Sequence, residues 1–184
     1  MKRLLIILCL AFSSPLFAAS GKPAVSIEPL YGFETVQKFE PTAHTKNRAI
    51  YGVRAILGSG FLRGEAEVTQ AKDTENFLDQ DLKIEDTTNK AKAGLRFNFR
   101  MASLLTVYLR SGMQLKQSEI TRTQAGASTK RKTGFYSDPY AGGGLRVHFM
   151  TNFSLTADYT VIWSDYPVSN KKEYQTTLGF AARI

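Results

Sequence analysis

The sequence predicts an all-β protein, an eight-stranded antiparallel up-and-down transmembrane β-barrel, and three observations carry that reading. The first is the stretch Phe153 to Trp163. Here Phe153, Leu155, Ala157, Tyr159, Val161 and Trp163 alternate with Ser154, Thr156, Asp158 and Thr160, and Ile162 alone breaks the rule. Side chains on a strand point to opposite faces with period two, so the segment has one apolar and one polar face. Roughly 9 to 11 tilted residues suffice to cross a bilayer as a strand, and the rings of Phe153 and Trp163 stand where membrane barrels carry interfacial girdles. The second observation is that seven further segments repeat the design. The third is that their connections run long, short, long, short, long, short, long, a parity that chance alternation does not produce.

Residues 1–20 are set apart from the barrel domain, residues 21–184. Lys2 and Arg3 precede the apolar run Leu4 to Phe12, and Ser13, Ser14 and Pro15 lead to the small residues Ala18, Ala19 and Ser20. This is the layout of a secretory signal peptide, and the run is too short for a spanning helix. Cys9 lies inside it, with Ile7 and Leu8 where a lipoprotein signal carries small residues, so neither lipid attachment nor a disulfide in the mature chain is expected. Removing Lys2 and Arg3 from the 24 basic residues leaves 22 against 16 acidic ones, a net charge of +6. An exported basic chain meets anionic lipid or lipopolysaccharide rather than nucleic acid.

The strands follow in order. Val25, Ile27, Tyr31 and Phe33 begin the first, where Pro29 cannot donate to a ladder, so regular pairing is expected from Leu30 or with a bulge. After a polar loop, Lys38 to Asn47, the second strand sets Ala49, Tyr51, Val53, Ala55 and Leu57 against Arg48, Arg54 and an intruding Ile56. Gly58 to Gly60 form a tight turn. The third strand sets Leu62, Gly64, Ala66 and Val68 against Arg63, Glu65 and Glu67, and an acidic connection is expected from Asp73 to Asp86. The fourth sets Ala91, Ala93, Leu95, Phe97 and Phe99 against Lys92, Arg96, Asn98 and Arg100, and turns at Met101 to Ser103. Leu105, Val107, Leu109 and Met113 mark the fifth. The longest connection, Ser118 to Gly134, follows, and Gln114 to Tyr136 could extend as a protruding hairpin whose edges recruit another protein. The sixth strand carries Leu145, Val147 and Phe149, and its run Gly142 to Gly144 suggests a bulge. Met150 to Asn152 turn into the seventh, Phe153 to Trp163. After a connection, Asp165 to Lys172, the eighth carries Tyr174, Leu178 and Phe180.

An eight-stranded interior is just wide enough to be filled by side chains. With the apolar face toward lipid, Glu65, Glu67, Lys92, Arg96, Arg110 and Asp158 stack inside near mid-height. Confined charges must pair or stay hydrated, so a plug of arginine–carboxylate pairs and no large pore is expected. Arg63, Arg100, Arg146, His148 and Arg183 fall nearer the tight turns; they form either an anion vestibule or, the plainer reading, a solvated mouth. Lys130, Arg131 and Lys132 could grip lipopolysaccharide phosphates. The acidic residues of 73–86 match no calcium loop, so no metal and no cofactor is expected. His148, Ser154 and Asp158 share the polar face across one hairpin and could be drawn as a triad, but they would sit inside the barrel, far from outer-leaflet lipid.

On this pattern the whole mature chain resembles the small bacterial outer-membrane β-barrels of the OmpA transmembrane-domain and OmpX type. The resemblance implies an outer-membrane location and folding by the barrel-assembly machinery. It also implies a monomer, with the three tight turns in the periplasm and the four long loops outside. Family members usually end in an aromatic residue, whereas this chain ends in Ile184, and no further domain is expected after the last strand. Neither histidine sits in the His-x-Ser motif of the lipid A deacylase barrels, so a structural or surface-interaction role is expected and no catalysis. Two alternatives keep the same strands. One is a soluble periplasmic barrel of lipocalin type with the apolar face inward, and the other is a narrow ion-conducting pore.

Overall fold

The computed structural model describes residues 24–38, 42–164 and 171–183. The expected signal peptide and residues 165–170 of the last connection lie outside them. The described residues form nine antiparallel strands: β1 Val25–Lys38, β2 His44–Leu57, β3 Leu62–Phe77, β4 Leu82–Arg100, β5 Leu105–Gln124, β6 Ala127–Lys132, β7 Tyr136–His148, β8 Phe153–Ser164 and β9 Lys171–Arg183. Eight of them are staves of a closed barrel in the order β4-β3-β2-β1-β9-β8-β7-β5, with β5 returning to β4 and β6 paired only to β5. Closure leaves no stave with an unpaired edge, which is the condition for putting strands in lipid.

The apolar face is outside. Val68 and Leu178 are 65% and 63% exposed, and Leu109, Leu145, Val147 and Leu155 share their face, whereas Arg54 and Arg96 on the opposite face are fully buried. The lipocalin alternative is thereby reversed, because the charges and not the apolar side chains line the interior. Rings band the outer wall. Phe61 packs edge-on against Phe97 and Phe99, with Phe149, Phe153 and Phe180 grouped at the same end. Tyr31–Phe33 and Tyr159–Tyr174 lie farther from the turns. Ile56 and Ile162, which break the alternation, keep the parity of their strands and point inward, fully buried.

Three expectations need correction. Pro29 causes no bulge: β1 pairs β2 in unbroken register from Val25, and only the ladder to β9 lapses, at Glu28 and Pro29. The glycine run causes none either, since Gly142, Gly143 and Gly144 pair in constant register with both β5 and β8. Their role is space, for a Cβ on Gly144 would stand 2.6 Å from the Tyr108 ring. The expected connection 73–86 is mostly strand: β3 continues to Phe77, a short 3₁₀ turn spans Leu78–Gln80, and Asp81 takes φ 46° before β4. Polar composition suggests a loop there, but a hairpin standing in water needs no apolar face. The stretch 114–136, by contrast, extends as the expected hairpin: β5 and β6 pair and turn at Ala125 and Gly126, both with positive φ.

Candidate functional site inside the barrel and at its mouths

The six predicted interior residues all come together. They sit on β3, β4, β5 and β8, whose inward positions meet across the narrow lumen. Glu67 accepts from Lys92 Nζ at 2.7 Å and from Arg110 Nη2 at 2.8 Å. Glu65 meets Arg96 Nε at 3.1 Å and Arg110 Nε at 2.8 Å. Asp158 accepts from Arg110 Nη1 at 3.0 Å and from the Tyr108 hydroxyl at 3.2 Å. Arg96 stacks its guanidinium 3.9 Å from the centre of the Tyr108 ring.

Arg54 was read on the polar face but not placed in this group, and it is the centre of it. Its Nη1 donates to Glu28 and to Asp158, each at 3.0 Å, and its Nη2 lies 2.7 Å from Glu67. A second layer toward the long loops joins Glu34 to Arg48 and Lys90, each at 2.6 Å, and Lys90 to Glu173 at 3.0 Å. Gln175 donates to Glu34 at 2.7 Å and accepts from Lys92. The alternation already put Glu28, Glu34, Arg48 and Glu173 on inward faces. Which of them reach one another depends on how the staves are staggered, and one strand read by itself does not reveal that. Arg146 is a further correction: it lies in the plug, 4% exposed, with Nη2 3.2 Å from Glu28, and not at the solvated mouth.

At the long-loop mouth, past the apolar band, Lys38 Nζ donates to Asp73 at 2.6 Å, Lys46 meets Glu75 at 3.2 Å, and Arg48 Nη1 reaches Asp86 at 2.8 Å. Of the acidic residues expected in a loop, Asp73, Glu75 and Asp86 are therefore partners of basic ones on β1 and β2, while Glu85 pairs with Lys83 on β4. His44 donates Nδ1–H to the Thr42 carbonyl at 2.8 Å and Nε2–H to Glu75 at 3.2 Å, and these two bonds raise its pKa above the usual 6.5. Burial pushes Glu75 up, but His44, Lys38 and Lys46 outweigh it and its pKa is lowered. Lys130, Arg131 and Lys132 are exposed along β6, with Lys130 2.8 Å from Glu119 across the hairpin.

At the tight-turn mouth a cavity of about 730 Å³ opens between the three turns, lined by Arg63, Asn98, Arg100, Thr106, His148 and Arg183 among others. His148 Nε2 lies 3.1 Å from the Thr106 hydroxyl. Asp158 is engaged by Arg54, Arg110 and Tyr108, so the arrangement His148, Ser154, Asp158 is not brought together as a triad.

These features define the class: a closed eight-stranded barrel with a lipid-facing outer wall and a charged interior, which is the design of a bacterial outer-membrane protein. The chain belongs to the outer membrane protein beta-barrel domain family, whose model matches residues 4–183, and its location is the bacterial outer membrane. No curated protein matches it. Among solved structures it is similar to Ail, the attachment invasion locus protein of Yersinia pestis, with 17% identity and a TM-score of 0.63 over 89% of this chain and 100% of that one. It is also similar to the N-terminal β-barrel domain of Pseudomonas aeruginosa OprF, at 15% identity and TM-score 0.59 over 88% and 97%. Neisserial surface protein A gives 13% identity and TM-score 0.59 over 88% and 99%. At such identities the likeness is one of fold.

Proposed function

We propose that the protein is a closed, non-catalytic outer-membrane barrel whose work is done at its long-loop surface, exported by residues 1–20 and folded as a monomer by the barrel-assembly machinery. The observation that carries this reading is the interior. Arg54, Arg96 and Arg110 are desolvated and tied to carboxylates, and Arg54 and Arg110 reach Asp158 on a stave that is not their neighbour, so ion passage requires breaking several buried pairs at once, at about 3–5 kcal/mol for each broken pair. A planar-bilayer recording of the purified barrel tests it. No resolved conductance steps are expected, and sustained unitary conductance would favour the ion-conducting alternative.

The surface that interacts is the β5–β6 hairpin. From Lys116 to Gln124, β5 runs on past the last outward apolar residue, Leu115, for about 30 Å at 3.3–3.4 Å per residue. It carries Lys130, Arg131 and Lys132 on the paired strand. Three adjacent cations above an outer leaflet suit lipopolysaccharide phosphates. A barrel of this fold, Ail, has been crystallised with the heparin analogue sucrose octasulfate, another highly anionic saccharide. Changing all three residues to glutamine is expected to weaken binding to lipopolysaccharide-containing vesicles while the heat-modifiable gel band persists. Unaltered binding would remove the hairpin from this role. The structural role needs no cofactor.

A further inference from the structure

We propose that the cavity at the tight-turn mouth is a binding site for phosphate-class oxyanions, separate from the hairpin surface. The argument begins with a difference between this mouth and the rest of the lumen. The plug cations Arg48, Arg54, Lys90, Lys92, Arg110 and Arg146 each have a carboxylate partner on another stave. Arg63, Arg100 and Arg183 line the cavity together and have no carboxylate partner among the described residues. No acidic side chain among the described residues lines the cavity at all. An interior that matches its charges so closely elsewhere leaves three guanidinium groups facing one space.

The arginines are also held in place. Arg63 Nε donates to the Gly60 carbonyl at 3.3 Å, and Arg100 Nη2 donates to the Ser103 carbonyl at 3.3 Å. Each bond uses one of the five N–H donors of a guanidinium and ties the head to a tight turn, leaving the remaining donors for a ligand. Arg183 is held at its backbone, whose N–H donates to the Asn152 carbonyl at 2.8 Å. The Thr106 hydroxyl and the His148 ring, bonded to each other at 3.1 Å, leave one further neutral donor on the β5 and β7 side. Behind them, Arg146 spends its charge on Glu28, so the floor of the cavity is neutralised while its walls are not.

The chemistry of such a wall selects its ligand. Guanidinium forks match the oxygens of phosphate bidentately, and a concave basic surface with low-dielectric walls concentrates anions. The volume, about 730 Å³, lies in the range of small-ligand sites and admits a phosphate carried on a larger body. The ligand is therefore a phosphate monoester or diester. It comes either from a soluble phosphorylated compound on this side of the membrane or from a lipid headgroup bent over the rim, where Leu104, Phe149 and Met150 also border the cavity.

The test uses the full folded barrel in a maltoside detergent free of phosphate, with inorganic phosphate titrated against chloride of equal ionic strength. The arginine Nε and His148 ring resonances are read by NMR. A saturable shift of these signals is expected, weakened tenfold or more in Arg63→Gln, Arg100→Gln or Arg183→Gln and unchanged in Lys83→Gln, an exposed cation at the opposite mouth. Arg100→Lys keeps the charge but loses the fork and is expected to fall between. The second arm repeats the reading in nanodiscs of phosphatidylcholine with and without phosphatidylglycerol. A response there but not to free phosphate assigns the site to lipid headgroups. A response to phosphate in detergent assigns it to soluble phosphates. No saturable response in either arm overturns the proposal, as does a response that survives the triple glutamine variant. A heat-modifiable band for each variant separates loss of the site from loss of the fold.

Discussion

At the scale of single residues the interior is a set of buried charges that are stable only together. Arg54 shows this most clearly, since Glu28, Glu67 and Asp158 all lean on it. Arg54→Leu is expected to destabilise the barrel by about 3–5 kcal/mol, because three carboxylates lose a shared cation that water cannot replace. Urea unfolding in lipid vesicles would read this, and Lys130→Gln, which breaks only an exposed pair, should stay within about 0.5 kcal/mol. His44 offers the opposite case, a titratable group at the wet mouth. Its pKa is raised by the Thr42 carbonyl and Glu75, so its contribution to the mouth is complete below pH 6.5 and is lost as pH rises through the higher folded value. Glu75 has a lowered pKa, so its contribution is present above 4.5 and is lost as pH falls through the lower folded value. An NMR titration of the His44 ring should give a midpoint above 6.5, and the amide protection factors near Lys38 and His44, corrected for base-catalysed intrinsic exchange, should be lower at pH 8.5 than at 5.5. A His44 midpoint at or below 6.5 would contradict the two hydrogen bonds. Legibility at this scale was partial. Inward charges on the strands as read follow from parity, but Glu75, in a stretch that reads as a loop, does not, and neither does the central place of Arg54, because its partners lie 13 to 104 residues away.

At the scale of elements, the staves are longer than the bilayer requires. β4 and β5 have 19 and 20 residues, about twice what a tilted crossing needs. Their outer halves continue in β-sheet through water, where alternation has no apolar partner and composition resembles a loop. This is why 73–86 reads as a loop, whereas 118–134 falls in a stretch legible as a hairpin and the strands with a lipid-facing side are legible to within a few residues. Small residues matter inside the staves as well. Gly144 leaves room for Tyr108, whose ring carries Arg96 and whose hydroxyl holds Asp158. A Cβ on Gly144 would also stand 2.4 Å from the Ala157 carbonyl oxygen on β8, so Gly144→Ala is expected to cost about 1–3 kcal/mol by overpacking, with only the share owed to the ring relieved in a Tyr108→Ala background, as a double-mutant cycle of unfolding free energies would measure. An equal cost in both backgrounds would place the strain on the backbone of β8 instead.

At the scale of the whole molecule, the decisive fact is which face meets lipid. Leu178→Arg places a charge on the outer wall between Tyr31 and Ala157, and a lipid-facing arginine at mid-depth costs about 2–4 kcal/mol. Thr121→Arg on the hairpin should cost almost nothing in the same folding assay, and equal effects would argue against the outer wall as assigned. The sequence by itself determined the fold class, the eight staves, the three tight turns and which of two faces nearly every strand residue shares, because these follow from period two and from turn chemistry, both local. Period two is blind to inversion, however: the same pattern describes a barrel with its apolar face inside. The tertiary structure decided that question by closing the sheet with the charges within. It also decided which charges meet, which glycines make room for rings, and that three arginines at one mouth face a common space. Those outcomes depend on the stagger of staves far apart in the chain, and stagger is a property of the closed sheet and of no single strand.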